Sequence, residues 1–176
     1  VTRHGPVIAG DPGSGHAITL RYTSTDGPNP THQCLLRMLR AGGVDELDEA
    51  MRDWVDPSNN FVFADVHGDI AYLNRGRLPV RSRANAWLPV PGWTGEYEWD
   101  GFVPFEELAR IRNPDTGYIV TANNRIVGED YPHYINLSFG SDFRARRVTA
   151  RVEGLDMATV DDMSGVHADR VSIPAQ

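Results

Sequence analysis

The hydrophobic period changes several times along this chain. Val1 to Ile8 reads as an extended segment interrupted by Gly5-Pro6, and Asp11-Pro12-Gly13-Ser14-Gly15 as a turn. Ala17 to Thr23 partly alternates apolar and polar residues, the two-residue period of a strand. From His32 to Ala41, Leu35, Met38 and Leu39 recur at helical spacing; from Asp45 to Val55, Leu47, Met51 and Trp54 do the same. Gly42-Gly43 ends the first of these helices and Asp56-Pro57 the second. Next comes a hairpin pattern, with Phe61 and Phe63 on one face, the turn Val66-His67-Gly68-Asp69, and Ile70 and Tyr72 returning. Asp65 stands where it would accept backbone N–H bonds from that turn, and His67 is expected to be exposed on it. Gly76 to Trp99 lacks periodicity and carries Trp87, Trp93 and Trp99, which are expected to pin a long loop to the core. Phe105 to Arg110 allows one or two helical turns. Tyr118 to Thr121 favours a strand, set off by Asn113-Pro114-Asp115-Thr116-Gly117 and ended by Asn123-Asn124. Ser141 predicts a helix cap with the helix running to about Glu153, and Thr159 with Asp162 predicts a capping box before a last helix to about Val171.

Composition narrows the functional classes. At 40% apolar residues the chain is globular, and 176 residues suffice for a sizeable core. The net charge of −7 argues against a nucleic-acid or anionic-membrane partner. All 17 basic residues are arginine. Cys34 is alone, so no intrachain disulfide forms. No apolar run approaches a membrane span, and the start shows no signal peptide. The six histidines include no close-spaced pair, and no nucleophile elbow, Walker loop or dinucleotide fingerprint is present. Pattern alone favours Asn123-Asn124 as a simple turn; the alternative is a rigid side-chain donor at a sheet edge, able to stabilise a developing oxyanion.

Several motifs in order resemble the β-chain of the penicillin acylase (penicillin amidase) family of N-terminal-nucleophile hydrolases. They are Thr2-Arg3-His4-Gly5-Pro6-Val7-Ile8; Ala64-Asp65-Val66-His67-Gly68-Asp69-Ile70-Ala71-Tyr72; Leu88-Pro89-Val90-Pro91-Gly92; Asn113-Pro114 through Gly117 to Asn124; Tyr131-Pro132; and Arg144-Ala145-Arg146-Arg147-Val148. The resemblance implies an α+β chain, a single region over 1–176, forming part of a four-layer αββα fold with antiparallel sheets and flanking helices. It also implies hydrolysis of a linear amide, in a β-lactam, an acyl-homoserine lactone or an acylated peptide. In that family a self-processed precursor exposes a Ser whose own α-amine acts as base.

The resemblance places the side-chain oxyanion donor on Asn123 and the backbone donor near Tyr22 or Thr23. It matches Arg147 to a family arginine that orders the nucleophile region and Asn123. The family's Ser precedes the stretch matched by Thr2 onward, so this chain is expected to lack the nucleophile and to need the rest of the β-chain and the α-chain as partners. No cofactor is expected. A family calcium aspartate falls near Ile135, an aliphatic side chain that offers no ligand atom. Trp87, Trp93, Trp99 and Tyr134 are alternative candidates to line an acyl pocket. The resemblance points to a periplasmic or secreted location. The rival reading is a non-catalytic binding or scaffold domain that keeps the fold.

Overall fold

The computed structural model describes residues 2–176, which form two compact units: residues up to Arg112 with Pro132–Leu137, and Asn113–Tyr131 with Ser138–Gln176.

The first unit opens with a hairpin, β1 (Val7–Asp11) against β2 (His16–Thr19). Asp11 accepts the Gly13 N–H at 2.9 Å to shape its turn. β2 is shorter than the alternation predicts. Its last bond to the partner strand is Leu20 N–H to the Pro6 carbonyl at 3.0 Å, and Pro6 has no N–H to return one. The expected strand end at Tyr22–Thr23 is instead the entry to a 3-10 turn, Thr23–Thr25.

Helices α1 (Thr31–Met38) and α2 (Val44–Ala50) follow. Both end short of the apolar periodicity, because Arg40, Ala41, Arg52 and Trp54 close i→i+3 turns instead. The buried hydroxyl of Thr31 accepts the N–H groups of Val55, at 2.9 Å, and Asp56, at 3.2 Å, tying the start of α1 to the exit of α2.

The predicted second hairpin is present as β3 (Asn59–Ala64) and β4 (Ile70–Arg75), extended by β5 (Arg110–Arg112) into the antiparallel order β3-β4-β5. Asp65 behaves as expected. One carboxylate oxygen accepts the N–H groups of His67 (2.8 Å) and Asp69 (3.1 Å), and the other accepts Val44 N–H (3.2 Å) at the start of α2. His67 is exposed. The central strand β4 carries the core: Ala71, Tyr72 and Leu73 are buried with Cys34, Met51 and Val55. Arg75 ends β4 fully buried, paired with Asp48 and stacked over Phe105 at 4.3 Å. Burial, then the neighbouring Arg110, pulls its pKa down to about 10. The tryptophans do not all pin their loop: Trp99 packs edge-on against Phe102, whereas Trp87 and Trp93 are 68% and 81% exposed.

The second unit holds α3 (Phe143–Glu153) and α4 (Val160–His167). The capping box at Thr159 and Asp162 forms with both reciprocal bonds. α4 stops before Val171 because the Asp169 carboxylate accepts the Val171 N–H at 2.9 Å, a local turn that competes with helix. Tyr118–Thr121 is not a strand: no segment among the described residues ladders with it. Strand propensity is realised only where a partner backbone supplies the hydrogen bonds.

Candidate active site

Asn123 is one of two non-glycine residues with positive φ among the described residues, at 63°. Asn tolerates this left-handed conformation better than most residues. The conformation is held from both ends of the residue. The Asn123 carbonyl accepts the Gly140 N–H at 2.7 Å, and a side chain at Gly140 would press on that same carbonyl at 3.0 Å. Arg144 donates through Nη2 to Asn123 Oδ1 at 2.8 Å and to the Ala122 carbonyl at 2.9 Å.

This contact decides what Asn123 can do. A guanidinium has only donors, so it holds the amide oxygen and leaves the Nδ2 amide turned away from it. Among the described residues no acceptor takes that Nδ2, and Asn123 is exposed. Asn124 is engaged locally instead. Its Oδ1 accepts the Ala122 N–H at 2.9 Å and its Nδ2 donates to the Arg125 carbonyl at 3.0 Å. One asparagine therefore makes the turn and the other offers a fixed donor.

The arginine that touches Asn123 is Arg144, not Arg147. Arg147 donates to Asp169 through Nη2 at 2.7 Å and Nε at 3.2 Å. That hydrogen bond holds the Asp169 carboxyl below its ordinary pKa, and the Val171 N–H adds to it, against burial. Four arginines crowd α3, and spacing alone does not tell which one meets Asn123. The fold does: Arg144 lies in the first turn, and helical side chains tilt toward the N-terminus. A cation there opposes the helix dipole, so its place is set by the two oxygens it binds. Tyr22 uses its hydroxyl on Asp56 at 3.0 Å, and its carbonyl accepts the Thr25 N–H at 3.0 Å. Among the described residues no three His, Cys, Asp or Glu side chains gather as metal ligands.

The Penicillin amidase family model matches residues 1–176. The chain belongs to the penicillin amidase family. It is 46% identical over 171 residues to the penicillin acylase 2 proenzyme of Pseudomonas sp. (strain SE83), covering 97% of this chain and 22% of that protein. To the acyl-homoserine lactone acylase QuiP of Pseudomonas fluorescens (strain Pf-5) it is 31% identical, over 84% of this chain and 18% of that one. The thermostable penicillin G acylase of Alcaligenes faecalis shares its fold at a TM-score of 0.74 with 25% identity, over 94% of this chain and 30% of that one. The chain thus spans about a fifth of the length of the curated penicillin amidase relatives it matches, and it has the mixed helix and antiparallel-sheet architecture of their N-terminal-nucleophile fold.

Proposed function

We propose that this chain is the part of an amide hydrolase that supplies the side-chain oxyanion donor, Asn123, while the attacking serine comes from sequence outside these 176 residues. The observation that carries the reading is the Arg144–Asn123 contact, which commits the amide oxygen and leaves the amide N–H₂ to donate. An oxyanion gains most from donors already in place before charge develops, because no reorganisation is then needed in the transition state. The left-handed backbone of Asn123, clamped by Gly140 and Arg144, is such a preorganised donor. The relatives are named for acylase activity on penicillins and acyl-homoserine lactones, which supports a linear amide as the bond cleaved.

The test is a kinetic comparison in the full-length protein, using acyl amides of a chromogenic amine. Asn123→Ala should lower kcat by about 10²–10³ with folding intact. Asn124→Ala should cost far less, since its amide serves its own turn. Equal losses from the two substitutions would overturn the assignment. No effect from Asn123→Ala, or no turnover by the full-length protein, would favour the scaffold reading.

A further inference from the structure

A cleft of about 560 Å³ lies entirely within the first unit, lined by β2, the N-terminal arm and the Trp-rich loop. Its walls include Ile18, Leu20, Trp87, Leu88 and Trp93, all of them substantially exposed. The volume falls in the usual range for small-molecule sites.

The charges in the cleft are not balanced. Glu98 is matched by His4 at 2.8 Å and Arg3 at 3.0 Å. Arg21 is matched by Asp26 at 2.9 Å, with its guanidinium 4.5 Å above Trp99. Arg81 also lines the cleft, and among the described residues no carboxylate pairs with it. Its Nε is buried without an acceptor, and its guanidinium lies 5.8 Å from the Tyr134 ring. Asn85, four residues on, lines the same cleft. Its Nδ2 donates to the Tyr97 carbonyl at 2.6 Å while its buried Oδ1 has no donor. Buried polar atoms left without partners are costly, and more so when charged.

We propose that this cleft binds an amphipathic carboxylate, with the carboxylate on Arg81 and the apolar body along Trp87, Leu88 and Trp93. A carboxylate completes the charge left unmatched in the cleft among the described residues, and a planar guanidinium suits its geometry. An apolar body covers side chains that otherwise face water. The cleft belongs to the first unit and Asn123 to the second, and the proposal does not depend on the hydrolytic reading.

The probes are octanoate and octanol, which share a tail and differ in charge. Three of the four tryptophans in these 176 residues, Trp87, Trp93 and Trp99, line the cleft, so intrinsic fluorescence reads binding. Octanoate should shift the emission saturably and bind roughly tenfold or more tightly than octanol. Arg81→Gln should bring octanoate down to the octanol level, and Arg81→Lys should restore part of the difference. Equal affinity for the two probes, or no saturation at millimolar octanoate, would overturn the proposal. The wild-type comparison of the probes decides the matter even if the Arg81 variants fold poorly.

Discussion

Tyr118–Thr121 consists wholly of residues that favour strands, whereas β4 (Ile70–Arg75) has only Ile70 and Tyr72 of that kind, and yet β4 is the strand. β4 pairs with β3 on one side and β5 on the other, so its backbone groups are satisfied and Ala71, Tyr72 and Leu73 are buried. Tyr118–Thr121 has no ladder among the described residues and is only partly buried. The difference lies in the neighbours, not in the residues. β3 follows from a local hairpin whose turn is set by Asp65, whereas nothing close in sequence turns back to pair with Tyr118–Thr121. Local pairing is legible in a short window; long-range pairing is not.

The comparison breaks first at the core. Leu73→Ala should destabilise the protein by about 2–5 kcal/mol, since it empties a buried site on the central strand. Ile119→Ala, on the unpaired segment, should cost well under half of that. Urea denaturation of the two variants checks it, and similar losses would mean that 118–121 is as tightly built as β4.

A smaller effect is expected at the hairpin turn. Asp65→Ala removes the acceptor of three backbone N–H groups, two in the turn and one at the start of α2. The melting temperature should fall by roughly 2–4 °C per lost kcal/mol. Asp65→Asn should fall less, because it keeps one oxygen as acceptor. If both variants melt like wild type, the turn is held by Gly68 and the ladder alone.

The smallest expected effect is acid sensitivity in the second unit. Asp169 has a depressed pKa in the folded state, from the Arg147 hydrogen bond first and the Val171 N–H second. Its stabilising contribution is therefore present above its unfolded pKa of about 3.9 and fades as pH falls through the folded value. The melting-temperature gap between wild type and Asp169→Asn should hold above about pH 5 and narrow as the pH falls below about 3.9. A gap that stays constant would show that the Arg147–Asp169 pair contributes nothing specific.

How much of this was readable beforehand differs from element to element. The helices, the β3–β4 hairpin, the Asp65 turn acceptor and the Thr159–Asp162 capping box follow from residues a few positions apart. The ordered motifs shared with the penicillin amidase family likewise lie in the sequence. Bond-making across distance was not readable. β5 joins β4 from thirty-odd residues away, Arg75 is buried against Asp48, and β2 ends early because its partner there is a proline. The division of labour between Asn123 and Asn124 is the sharpest case. The two residues are chemically identical, so no pattern separates them. The left-handed φ of Asn123 and the reach of Arg144 back over the start of α3 give one of them a committed oxygen and an unengaged amide, while the other closes its own turn. Sequence determines which groups are present and which short-range bonds they favour. Which distant group arrives to complete a bond, and so which amide is left unengaged, is decided only when the chain packs.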